Sequence, residues 1–236
     1  DSRFRVFEPS LQLSGARTSY FHSSLGGYHG AKPRRFEELF DYFSTHQIQG
    51  VMDMLNVKYL LFEEASEQKV VDNPTALGNA WTIDSLKVAS SADHLLEQLK
   101  TLDFSNQALV LKNETPQNIP HRFNSNATKE IYLISAKPTN LTYAFSASEE
   151  QMVVFSEIYY PNGWNAEIDG KAVDHFPVNY VLRGMLVPAG NHTINFRFEP
   201  QVINLGVNIR LIALLVLLML VSSLVYDQIK KNPVQK

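Results

Sequence analysis

The residues best equipped for chemistry cluster early in the chain. Tyr20, His22, Tyr28, His29, Lys32, Arg34 and Arg35 surround the run SSLGGYHGAKP at 23–33. Glycine and proline at this density mark irregular backbone able to adopt positive φ. Aromatic faces stack on sugar rings, and guanidinium groups grip phosphate through two parallel hydrogen bonds. The loop is therefore a candidate binding surface for a glycan or a lipid-linked sugar, with Tyr20, His22, Tyr28, His29, Arg34 and Arg35 as its contacts. The competing reading is an ordinary ordered loop whose tyrosines pack and whose arginines pair with Glu37 and Glu38.

Other chemistries find no pattern to rest on. Seven histidines at 22, 29, 46, 94, 121, 175 and 192 include no HExxH and no pair at i, i+4, so no metal ligand set is assigned. With no cysteine in the chain, disulfides, thiol catalysis and cysteine-ligated metals are excluded. There is no GxSxG elbow, P-loop or GxGxxG, so neither a nucleophilic triad nor a nucleotide cofactor is expected. Asp174 beside His175 reads as a polar pair on a hairpin, since adjacent strand residues point to opposite faces. Trp164 and the Tyr159-Tyr160 pair offer a second carbohydrate platform, although a tryptophan on an alternating strand is more often core. A net charge of −3 gives no basic footprint for nucleic acid.

The elements that must position these residues fall into two soluble parts. In residues 1–112 a helix is expected from Arg34 to Phe43, because Phe36, Leu39, Phe40 and Phe43 share one face. A short helix should follow at 48–55, and VKYLLFEE at 57–64, AWTIDSLKVAS at 80–90 and QALVLK at 107–112 read as strands. Ser90 and Ser91 offer an N-cap to a helix whose stripe is Leu95, Leu96, Leu99 and Leu102. Residues 113–127, with their asparagines and prolines, read as a linker or long loop. Residues 128–200 hold about seven short strands punctuated by Pro161-Asn162-Gly163, Asp169-Gly170 and Pro188-Ala189-Gly190, the pattern of an antiparallel β-sandwich of jelly-roll type. The fold class is thus α+β.

From Leu211 to Tyr226 runs LIALLVLLMLVSSLVY, uncharged throughout. A helix spanning a bilayer needs roughly 20 apolar residues, and starting it near 203 supplies the length if Arg210 reaches back to the headgroups. We read 203–227 as a transmembrane helix and 228–236, with Lys230, Lys231 and Lys236, as a cytoplasmic tail. Residues 1 to about 200 are then expected outside a bacterial cytoplasmic membrane. No leader precedes them in this sequence, so earlier spans of a longer protein are the expected means of export.

Long phrases support that layout. VVFSEIYYPNGWNAEIDGK at 153–171 and VNYVLRGMLVPAGNHTINFRFEP at 178–200 resemble the C-terminal region of the YfhO family of bacterial membrane proteins. SYFHSSLGGYHGAK at 19–32, MLNVKYLL at 54–61 and NPTALGNAW at 73–81 resemble the segment before it. The resemblance implies a polytopic protein similar in layout to lipid-phosphate-dependent glycosyltransferases, of a family implicated in glycosylating cell-envelope polymers. It implies as partners the bilayer, an upstream membrane domain and a glycan or polyprenyl-phosphate sugar. The essential acidic residue of such enzymes belongs to an early outer loop that these residues do not include, so no catalytic residue is carried over. The alternative is a non-enzymatic envelope binding or assembly module.

Overall fold

A computed structural model describes residues 3–28, 30–64 and 67–231. Its most telling strand is β9, Gln151–Ile158, because both of its faces are covered. It lies between β13 (Leu182–Val187) and β4 (Ala80–Ile83) in a four-stranded sheet that β12 (Phe176–Val178) completes, in the order β12-β13-β9-β4. Val153 and Phe155 point into one apolar core, and Met152 and Val154 into another.

The first core is that of the β-sandwich. A five-stranded antiparallel sheet, β11-β10-β14-β8-β7, covers one side of β9. Its strands are β7 (Lys129–Lys137), β8 (Asn140–Ala147), β10 (Trp164–Ile168), β11 (Lys171–Val173) and β14 (Gly190–Phe198). β8 turns Leu141, Tyr143 and Phe145 inward, and β14 turns Ile194 and Phe196 inward, as their alternation predicts. Asp169 and Gly170 close the β10–β11 hairpin with φ of 51° and 77°, the left-handed pair that favours this dipeptide.

The second core belongs to the N-terminal part. Helix α2, Arg34–His46, buries Phe36, Leu39, Phe40 and Phe43. With α1 (Ala16–Phe21) and α3 (Gln49–Met54), it accompanies a three-stranded sheet of β1 (Arg5–Phe7), β2 (Val57–Glu64) and β3 (Glu67–Asp72). Parallel strands β5 (Ser85–Ala89) and β6 (Gln107–Leu111) are joined through α4 (Ala92–Leu99). Ser91 caps α4 by accepting from the His94 amide at 3.2 Å.

One expectation is corrected here. AWTIDSLKVAS is not one strand, because the chain breaks at Asp84 and sends β4 to the four-stranded sheet and β5 to β6. The Asp84 amide bonds to Asn106 and its carbonyl accepts from Phe123, leaving no ladder for it to continue. Through β4 the N-terminal part contributes a strand to the sandwich.

Helix α5 runs from Gln201 to Lys231, and Gln201–Gln228 is long and apolar enough to cross a membrane. Its leucines stand exposed all round, from Leu211 to Leu224, as a lipid-facing helix requires.

Candidate binding site at the root of the terminal helix

The loop residues singled out by type do not converge. Tyr20 meets Phe21 edge to face at 4.8 Å, and both are largely exposed, as is Tyr28. His22 ends α1, its amide donating to the Thr18 carbonyl. Lys32 Nζ donates to the Leu13 carbonyl at 2.9 Å. Arg34 turns outward to Glu38, its Nε 2.7 Å from Oε1. His29 lies outside the described residues. Arg35 alone of these faces a cavity and takes a partner far along the chain, donating from both terminal nitrogens to the carboxylate of Glu114.

That cavity has a volume of about 430 Å3 and is walled by Arg35, Glu114, Tyr159, Tyr160, Pro161 and Tyr180, among others. Four separate segments build it. Arg35 comes from the first turn of α2, and Glu114 from the turn after β6. Tyr159 and Tyr160 follow β9, with the Tyr159 amide donating to the Val181 carbonyl at 2.7 Å. Tyr180 sits in the turn between β12 and β13, where Asn179 and Tyr180 have φ of 48° and 74°. A bulky aromatic in the left-handed region is strained, and the surroundings hold it there. Asn179 exchanges hydrogen bonds with Leu109 on β6 at 2.7 and 2.8 Å. The Tyr180 hydroxyl donates to Glu38 at 2.5 Å, and the Arg35 guanidinium lies 5.4 Å from the ring.

These contacts fix the charge states. Burial, aided by the Glu38 carboxylate, pushes the Tyr180 phenol up to about 12. The Tyr180 hydrogen bond, with help from Arg34, holds Glu38 below the usual carboxylate range. The hydrogen bond to Glu114 raises Arg35. The wall thus presents aromatic faces, a phenol held protonated and a neutralised guanidinium–carboxylate pair. It suits hydroxyl-rich, weakly charged ligands better than free anions.

Tyr160 and Pro161 also line a second groove, together with Asn162, Gly163, Glu199, Pro200 and Gln201. The cavity therefore opens one loop away from the start of α5. Gly163 makes this junction close. Its φ is +123°, and a Cβ there would lie 2.9 Å from the Pro200 side chain. The Glu199 amide donates to the Gly163 carbonyl at 2.7 Å, tying the short link between β14 and α5 to the loop between β9 and β10.

His175 braces the Tyr159 wall. Its ring packs edge to face on Tyr159 at 5.3 Å, and Nε2 donates to the Trp164 carbonyl at 3.0 Å. Burial lowers its proton affinity, and Nδ1 is buried without a hydrogen-bond partner, so a proton added there would have no acceptor. The stability from a neutral His175 is complete above its unfolded value of 6.5 and is lost as pH falls through its lower folded value. His192 works the other way, because its hydrogen bond to Asp169 raises it. Its contribution is complete below 6.5 and is lost as pH rises through its folded value. Melting of the full chain in detergent at graded pH should show His175→Gln flattening the acid side and His192→Gln flattening the alkaline side. An unchanged acid limb in His175→Gln would remove His175 from this account.

Among the described residues no group of three His, Asp or Glu side chains is placed to hold a metal ion. The family model described as bacterial membrane protein YfhO matches residues 94–210. That span covers the Glu114, Tyr159, Tyr160 and Tyr180 walls of the cavity and the first turns of α5. No curated protein and no solved structure matches the chain.

Proposed function

Taking as premise that the chain belongs to the YfhO family of bacterial membrane proteins, we propose that its folded body holds the sugar of a glycan or lipid-linked sugar beside the bilayer. The site is the tyrosine-walled cavity. The observation that carries this reading is the cavity's place: Tyr160 and Pro161 belong both to its wall and to the groove at the root of α5. A ligand carried by a lipid would meet those residues first.

In this reading the body faces outward, because the lysines after Tyr226 are the kind retained in the cytoplasm. Tyr159, Tyr160 and Tyr180 stack on the sugar, and Arg35 with Glu114 hydrogen-bonds its hydroxyls. If the whole protein transfers sugars, as the family resemblance suggests, that chemistry belongs to a membrane domain outside these residues. This chain then supplies binding and orientation, which are themselves worth a large part of a transfer barrier.

The test is binding of a short-chain polyprenyl-phosphate hexose to the full chain in phosphatidylcholine nanodiscs. Losing one stacked ring should cost about 1 kcal/mol or more. Tyr159→Ala and Tyr160→Ala are therefore expected to weaken binding about fivefold to tenfold each, while Tyr28→Ala and Arg34→Ala leave it unchanged. Equal affinity in all four variants would end the proposal. The exposed Tyr20–Phe21 pair favours one other reading, a non-enzymatic module that docks a protein partner. Loss of function in Tyr20→Ala with sugar binding intact would select it.

A further inference from the structure

The tyrosine cavity does not end at Tyr160 and Pro161. Both residues also wall the groove at the root of α5, which has a volume of about 710 Å3. Asn165 and Glu199 line that groove and in turn a third hollow of about 680 Å3, whose other walls include Trp164, Glu167, Asp174 and His175. Each of the three is of the size usual for a small-molecule site, about 300 to 1,000 Å3. Joined through shared walls, they make a trough longer than one bound sugar needs.

The sheet explains the third hollow. Strand β11 pairs with β10 only from Ala166 to Ile168. After Val173 the chain leaves through Asp174 and His175 for β12, in the other sheet. Trp164 and Asn165 therefore have β14 on one side and, among the described residues, no strand on the other. The hollow lies along this open end of the ladder. Trp164 is half-buried at its wall. Phe198 packs on its ring at 5.3 Å and the Arg183 guanidinium lies 4.2 Å over it, which together fix the plane of the ring.

The lining decides the class of ligand. Among the described residues, every ionised side chain along the two outer hollows is a carboxylate, Glu167, Asp174 or Glu199, and burial keeps His175 neutral. The flanking cations are Arg197, 3.4 Å from Glu167, and Arg183 against Trp164, and neither lines the trough. Carboxylates and the amides of Asn162 and Asn165 are hydrogen-bond partners for hydroxyl groups, and aromatic walls suit the apolar side of a sugar ring. A polyanion would meet like charge. The open edge at Trp164 and Asn165 is two residues long, too short for an added peptide strand.

We propose that the trough takes a neutral glycan chain of several sugar units, one in the tyrosine cavity and the rest running past the root of α5 to Trp164. The proposal rests on the sugar reading of the cavity and extends it from a single unit to a chain.

Chain length is the test. The full chain in phosphatidylcholine nanodiscs is titrated with glucose, cellobiose and cellotetraose, with the maltose series in parallel, and with tetragalacturonate as an anionic chain of equal length. Short-chain polyprenyl-phosphate hexose serves as the reference for the cavity alone. Affinity should rise about tenfold or more from monosaccharide to tetrasaccharide in at least one series, the gain from a further hydrogen bond to a charged group. Tetragalacturonate should bind about tenfold less tightly than the neutral tetramer. Asp174→Ala and Glu199→Ala, both at exposed positions, should each weaken tetrasaccharide binding about fivefold or more and leave the reference ligand's affinity unchanged. Affinity that does not rise with length in either series, equal binding of tetragalacturonate, or a length gain that both variants keep would overturn the proposal. If the reference ligand binds and the tetrasaccharides gain nothing, the chain proposal falls and the cavity reading stands. If the reference ligand does not bind, both fall.

Discussion

The chain with both Leu215→Arg and Leu218→Arg is expected to leave the membrane fraction. These positions lie near the middle of Gln201–Gln228, and both leucines are exposed along a helix that the rest of the described chain does not cover. An arginine at the centre of a spanning helix costs about 2.5 to 3.5 kcal/mol on insertion scales, so the pair costs roughly 5 to 7. Each Leu, Ile or Val contributes only about −0.3 to −0.6 kcal/mol on the same scale. Summed over the Leu, Ile and Val residues of the Leu211–Tyr226 run, that is roughly 3 to 7 kcal/mol in favour of insertion. The two arginines therefore cancel the whole driving force, whereas Leu215→Val with Leu218→Val should change nothing. Sedimentation with membranes after an alkaline carbonate wash reads the difference. Retention of the double-arginine chain in the washed pellet would show that α5 is not what holds the protein in lipid.

The terminal helix was legible because a uniform apolar run has no other use for its surface. Local periodicity likewise gave α2 its buried face of Phe36, Leu39, Phe40 and Phe43, and gave β8 and β14 their inward residues. Strand β9 was harder. QMVVFS is buried at every position, so a strand covered on both faces loses the alternation that marks one covered on a single face. The break at Asp84 was hidden for a related reason. Trp81, Ile83 and Leu86 are all buried in one core, although β4 and β5 belong to different sheets.

The cavity was less legible still, and the reason is sequence separation. Arg35 finds Glu114 79 residues away, and Tyr180 finds Glu38 142 residues away. No spacing rule connects them. Residue type picked out Arg34 and Arg35 together, yet only the fold separates them, since consecutive helical residues point in directions about 100° apart. One goes to solvent and Glu38, the other to the cavity. Arg183 carried no warning at all. In VLRGMLV it reads as the polar member of an alternating strand, while in the structure it lies under a tryptophan.

Phe155→Ala is expected to be the most damaging single substitution in the folded body. Its ring is fully buried and meets Tyr143 and Phe196 edge to face, each at 4.9 Å. Truncation removes both aromatic contacts and leaves a void between two sheets that cannot close without moving β8, β14 or β9. Phe→Ala changes in such cores cost about 3 to 5 kcal/mol, against a total stability of about 5 to 15 kcal/mol for a domain. An exposed aromatic offers the contrast: Tyr132→Ala on β7 should stay within about 0.5 kcal/mol. The loss should also spread. Phe155 pairs in register with Ala80 on one side and Arg183 on the other, and its strand neighbours Met152 and Val154 belong to the core that α2 and α4 cover. Destabilising β9 therefore weakens both cores together, and denaturant unfolding followed by near-ultraviolet and far-ultraviolet circular dichroism should shift as one transition. If the sandwich aromatics melted first while the helices persisted, the strand would not be coupling the two cores, and the account of β9 as their shared wall would be wrong.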